Sequence, residues 1–176
     1  MKAIEVKSFS PTRQLHAENQ LFADGGVIGR NPSGIGGTYA FSVLKNGKVI
    51  QTGGSVIVPV RESRVSNNVS EFIAVLEGLE KLPSNWVGIV YSDSKVTLGR
   101  FFCDWSLTNI PSDLQQQMRD EKLRLIHFSD IQYCLLEGHP TKSDLARGFG
   151  KNGYPVHEQN VWCDKTCKSL AKAFLA

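Results

Sequence analysis

The sequence predicts an α/β fold on a mixed sheet, an antiparallel three-strand meander followed by alternating helices and strands. Three observations predict it. Short apolar runs fill the first third of the chain, and Asn46-Gly47, a tight-hairpin signal, separates two of them. The hydrophobic period changes at Asn68, after which Phe72, Val75, Leu76 and Leu79 recur at i, i+3, i+4 and i+7. Beyond that point strand-like and helix-like segments alternate, as in a sheet with helices packed against it.

In order, residues 15–24 read as a first strand leading to Asp24, with residues 1–14 as an extension without clear periodicity. Thr38–Leu44 and Lys48–Val60 are the second and third strands. The helix from Asn68 ends at Pro83, because proline cannot continue it. Trp86–Tyr91 is a short apolar strand that stops at Ser92-Asp93, and a helix follows through Phe101 or Phe102. Residues 104–130 carry weaker signals, with a helix over Ser112–Lys122. Gln132–Glu137 is a further strand. Residues 140–158, rich in Gly, Pro and Lys, read as an inserted loop, a length that often carries function. A last helix starts near Asn160 and buries Cys163, Cys167, Leu170 and Phe174. Residues 15–176 thus form one domain.

Composition narrows the function classes. A chain of 176 residues, 41% hydrophobic and 21% charged, has enough material for its own core. No apolar run approaches the ~18 residues of a membrane span. The N-terminus MKAIEVKSFS has no apolar signal region, so a cytoplasmic monomer is expected. A net charge of +3 permits a polyanionic partner without the strong basicity of a dedicated nucleic-acid binder. The four cysteines are expected as reduced core residues. Cys163 and Cys167 with His157 raise a zinc reading, but their i,i+4 spacing on an apolar helix face is core spacing, and no second Cys pair exists.

The stretch LFADGGVIGRNPSGIGG, Leu21–Gly37, tests for a phosphate cradle and fails. Gly34 and Gly36 fit the start of GxGxxG, but Tyr39 stands at its third glycine. Gly29 to Gly34 is a GxxxxG, but Ile35-Gly36 follows where a P-loop has Lys-Ser/Thr. The next segment is a strand, so no helix N-terminus waits for an anion.

Carboxylates stand at the ends of predicted elements instead. Asp24 ends the first strand, Asp93 ends a later one, Glu71 lies in the first turn of a helix, and Asp164 lies near the start of the last. Each has a local explanation. Asp24 before Gly25-Gly26 suits a turn, Asn68-x-x-Glu71 suits a capping box, Asp93-Ser94 suits a cap, and Asp164 suits a helix dipole. As a set they suit a divalent metal, because converging carboxylates repel and hard cations take oxygen ligands. Two such ions about 3.5–4 Å apart clamp phosphodiester hydrolysis.

The set, in this order, resembles the ribonuclease H family of type 1. Five motifs carry the resemblance over about residues 18–176. They are Asp24-Gly25-Gly26 with Asn31-Pro32, then Asn67-Asn68-Val69-Ser70-Glu71, then Ser92-Asp93-Ser94, then Glu137-Gly138-His139, and last Asn160-Val161-Trp162-Cys163-Asp164. The resemblance implies a ribonuclease H-like fold and hydrolysis of the RNA strand of RNA–DNA hybrids, leaving 5′-phosphate and 3′-hydroxyl ends. It implies two Mg²⁺ ions, with Mn²⁺ as an alternative, on Asp24, Glu71, Asp93 and Asp164. His139 would assist proton transfer or product release. Gly25, Gly26, Asn31, Asn67, Asn68, Ser94 and Lys95 would contact substrate. The chain departs from the family pattern in four places: the first loop is one residue longer, Lys95 stands where glutamine is common, residues 104–130 are not rich in Lys and Arg, and 140–158 is inserted. Lys142, Arg147 and Lys151 of the insertion are either a phosphate-contacting arm or solvated charges. Two other readings stay open: a structure-specific DNA nuclease of the same fold, and a hybrid- or RNA-binding module without catalysis. The four filled acidic positions speak against the second.

Overall fold

The computed structural model describes residues 6–61 and 63–176. Its five strands are β1 (Asn19–Val27), β2 (Gly37–Lys45), β3 (Lys48–Ile57), β4 (Ile89–Ser92) and β5 (Gln132–Leu135). They form one sheet in the order β3-β2-β1-β4-β5. The first three pair antiparallel, and β4 and β5 run parallel to β1. The helices are α1 (Asn67–Glu80), α2 (Lys95–Phe102), α3 (Ser112–Arg124), α4 (Lys142–Arg147) and α5 (Glu158–Leu175). This is the mixed α/β architecture that the change of period at Asn68 predicts.

Strand alternation divides the core between the two faces of the sheet. Leu21, Ala23, Phe41 and Val43 pack with Phe72, Val75, Leu76 and Leu79 of α1, and Leu98 and Phe101 of α2 extend the same cluster. On the other face Phe22, Ala40, Tyr91 and Leu136 pack with Cys163 and Cys167 of α5. All four cysteines are buried and free, as core residues. Within the region of weak signals, α3 is real and is fixed by Arg124. Its guanidinium donates to the carbonyls of Leu82 and Leu79 at 2.8 and 2.9 Å, tying α3 to the C-terminal end of α1.

Several expectations need correction. The first strand does not stop at Asp24. It continues through Gly25, Gly26 and Val27, which pair with Tyr39, Thr38 and Gly37. The glycines are therefore not a turn at this point. Alternation turns Gly25 toward α1, where a Cβ would fall on the Ser70 carbonyl group and 2.5 Å from the Glu71 nitrogen. Only glycine lets helix and strand approach this closely. The stretch 140–158 is not loop throughout, because Thr141 and Asp144 form a capping box that starts α4. The extension also packs. Phe9 lies 5.5 and 5.4 Å from the rings of Trp105 and Tyr133, and the Thr12 N–H donates to the Tyr133 carbonyl at 2.8 Å. Among the described residues no helix is long and apolar enough to cross a membrane.

Candidate active site

Three of the four predicted carboxylates meet at one end of β1. Asp24 comes from the middle of β1, Glu71 from α1, and Asp93 from the residue just after β4. One oxygen of each lies within 4.8 Å of one of each other. The local explanations for these residues do not hold. The N-cap of α1 is Ser66, whose Oγ accepts from the Val69 N–H, so Glu71 is free of capping duty. The N-cap of α2 is Ser94, whose Oγ accepts from the Thr97 N–H at 3.2 Å, which leaves Asp93 uncommitted. Asp24 is paired strand, not turn. Glu71 turns back to β1, where its Oε2 accepts from the Gly25 N–H at 3.1 Å.

Burial and mutual repulsion dominate the electrostatics. Asp24 is 4% exposed and Glu71 5%. Burial first, then the charge of Asp93, pushes the Asp24 carboxyl up to about 8. Glu71 is held well above the usual carboxylate range by burial and by Asp24. Asp93 is raised by burial, and a hydrogen bond from Asn160 and the neighbouring His139 partly oppose this. The contact between the Asp24 and Glu71 side chains lowers the Asp24 carboxyl and raises that of Glu71. Among the described residues, none of the three is ion-paired with Lys or Arg. Two buried carboxylates and a half-buried third, with no Lys or Arg to balance them among the described residues, are the donor set a hard divalent ion requires, and the residues fit such an ion.

Asp164 belongs to the same cleft but not to the cluster. It is the seventh residue of α5, beyond the first turn where a dipole would favour it. Its Oδ2 accepts from Lys168 Nζ at 2.8 Å, and its Oδ1 lies 3.9 Å from His139 Nδ1. The bond to Asp164 raises the Lys168 ammonium above its ordinary value.

The cleft holds about 450 Å³ and is open to solvent along Gly25, Gly26, Asn67, Ser94, His139 and Lys168. Four of the seven residues expected to contact substrate therefore line it. Asn31, Asn68 and Lys95 do not. Asn31 stands behind it, its Oδ1 accepting from the Asn67 N–H at 3.0 Å. The bridge between Ser33 and Val65 ties the same loop to the entry of α1. Lys95 lies over the Phe9 ring, 5.2 Å from its centroid. Asn68 is exposed on the first turn of α1. Lys168 lines the cleft as well; the sequence reads it, with Lys165 and Lys172, as one helix face that is solvated or touches backbone phosphate, and misses its bond to Asp164. The signal for that bond was the i,i+4 spacing from Asp164, which places an acid and a base on one helix face.

No family model and no curated protein matches the sequence. Solved structures match the fold. The N-terminal RNase H domain of a Mycobacterium tuberculosis protein, fused to maltose binding protein, aligns at 19% identity and TM-score 0.58, covering 89% of this chain and 95% of that one. LC11-RNase H1 in complex with an RNA/DNA hybrid aligns at 14% identity and TM-score 0.62, covering 90% and 99%. RNase H1 from the halophilic archaeon Halobacterium salinarum aligns at 16% and 0.60, covering 88% and 98%. The chain has the ribonuclease H-like fold.

Proposed function

We propose that this ribonuclease H-like chain is a metal-dependent endoribonuclease that hydrolyses the RNA strand of RNA–DNA hybrids, leaving 5′-phosphate and 3′-hydroxyl ends. The observation that supports the reading is the cluster of buried Asp24 and Glu71 with half-buried Asp93, unpaired with Lys or Arg among the described residues and set in an open cleft. Asp24, Glu71 and Asp93 would hold Mg²⁺ or Mn²⁺, with Asp164 as a fourth ligand from α5. Two bound ions would lower the pKa of the attacking water and stabilise the leaving 3′ oxygen.

The chain's own groups do the rest. The backbone of Gly25 and Gly26 lines the cleft, and Asn67 offers an amide beside it. That pair suits the shallow minor groove of a hybrid, where 2′-hydroxyls distinguish RNA from DNA. Asn31 and Asn68 support the same surface from behind and beside it. Ser94 and Lys95 stand at the start of α2, toward the opposite wall. His139, 76% exposed at the cleft mouth and beside Asp164, is placed to carry a proton to or from solvent.

The test uses labelled RNA–DNA hybrid, double-stranded RNA and branched DNA, each with Mg²⁺, Mn²⁺ or EDTA. Cleavage of hybrid alone, in metal and not in EDTA, is the expected result. Absence of hybrid cleavage in either metal rejects the reading, and preference for branched DNA replaces it with a DNA nuclease. Asp93→Asn is expected to remove nearly all activity. Asp164→Asn should lower it less, because Asp164 already shares its oxygens with Lys168 and His139. Equal losses in the two variants would place Asp164 on the same footing as the cluster.

A further inference from the structure

Glu137 follows β5, is only 4% exposed, and has no part in the chemistry above. One residue, fifteen positions along the chain, takes both of its carboxylate oxygens. Oε1 accepts from Asn152 Nδ2 at 2.7 Å, and Oε2 accepts from the Asn152 backbone N–H at 3.3 Å. The Glu137 N–H donates to the Pro155 carbonyl at 2.9 Å. Gly150 lies so close that any Cβ there would overlap the Glu137 side chain. The segment closes on itself through Gly150 N–H to the Tyr154 carbonyl at 2.9 Å and a Phe149–Pro155 bridge. The insertion is thus a strap, fastened at a buried acid two residues before His139.

His139 is held from its backbone rather than its ring. Its φ of 48° lies in the left-handed region, which is uncommon for any residue but glycine. Glu137 is fixed on one side of it, and Thr141, the N-cap of α4, is fixed on the other. The ring itself is largely exposed, and among the described residues its one acidic partner within 4 Å is Asp164.

We infer that Glu137 is a positioning residue, which through Asn152 locks the strap and so holds His139 at the mouth of the carboxylate cleft. A buried carboxylate that accepts two N–H bonds makes a stiffer fastening than a solvated loop contact. The kinetic consequence rests on the nuclease reading, but the geometry does not.

The test compares wild type with Glu137→Ala, Asn152→Ala and Glu137→Gln, on hybrid with metal and, separately, by NMR of the His139 imidazole without metal. Glu137→Ala should lower kcat about tenfold while KM stays within about twofold, because misplacing one group by an ångström costs rate rather than binding. Asn152→Ala, which cuts the clamp from its exposed side, should do the same. Glu137→Gln keeps one acceptor for Asn152 and should restore most of kcat. In a His139→Ala background, Glu137→Ala should have no further effect. The His139 resonances should move in both alanine variants and stay in place in Glu137→Gln. Independent losses in the Glu137/His139 double variant overturn the inference. So do a lowered Tm with unchanged kcat, or unmoved His139 resonances in folded Asn152→Ala. A wild type inactive on hybrid removes the nuclease reading, while the NMR comparison still decides the clamp.

Discussion

Asp24→Asn is expected to abolish hybrid cleavage and to make the metal-free protein more stable at pH 8. Activity should fall on the order of 10³-fold or more, about 4 kcal/mol of barrier, because one of three converging ligands is lost. Stability should move the other way because of where the proton sits. In the unfolded chain the Asp24 carboxyl titrates near its ordinary 3.8; in the fold it titrates near 8. Between those values the folded state holds a proton that the unfolded state has released. The contribution of this group to stability is therefore complete below about pH 4 and is lost as pH rises through about 8. Melting of wild type in EDTA should show Tm falling across that window. Asn at this position cannot ionise, so the fall should flatten. At pH 8 the variant should melt on the order of 5 °C higher than wild type, and at pH 5 the gap should shrink. Divalent ion should raise the wild-type Tm most at the alkaline end and the variant's hardly at all. A variant less stable than wild type at pH 8 in EDTA would mean that burial and repulsion do not hold the Asp24 carboxyl above its ordinary range.

Gly25→Ala should push α1 away from β1. The added Cβ meets backbone of α1, not a side chain that can swing away. Overpacking of this kind costs about 1–3 kcal/mol or more, and the helix has to shift to relieve it. The shift moves Glu71, whose carboxylate bonds to the Gly25 N–H. Tm should therefore fall, and by calorimetric titration divalent-ion affinity should fall with it. Gly26→Ala is the control: its Cβ meets only the Thr38 hydroxyl at 3.3 Å and Cys167 at 4.0 Å. If the two variants bind metal equally well, Gly25 does not set the position of Glu71.

Much of this was legible in the sequence, and the misreadings share a physical cause. Periodicity located α1 and the meander because each has one strongly apolar face. The boundary at Asp24 was misplaced because Asp-Gly-Gly is good turn chemistry, whereas the glycine here answers a helix forty-five residues away in sequence. Glu71 fits a capping box only if the helix starts at Asn68, and Ser66 takes that duty. The carboxylates were found because their order along the elements was informative. Their unequal engagement was not, since the convergence of Asp24, Glu71 and Asp93 without Asp164 exists only once distant elements have packed together, as does the Glu137–Asn152 clamp.

The packed segment around Phe9 has a consequence for how the sheet meets other molecules. A sheet has two open edges, and an open edge invites a foreign strand to pair with it. Here β5 is one of them, and the Thr12 N–H already occupies its Tyr133 carbonyl while Phe9 lies across the neighbouring rings. The other edge, β3, carries Val49 and Ile50 exposed beside Lys48 and Gln51, and among the described residues β2 is the one strand paired with it. Self-association by strand addition is therefore one-sided, open at β3 and hindered at β5 for as long as the N-terminal segment stays in place.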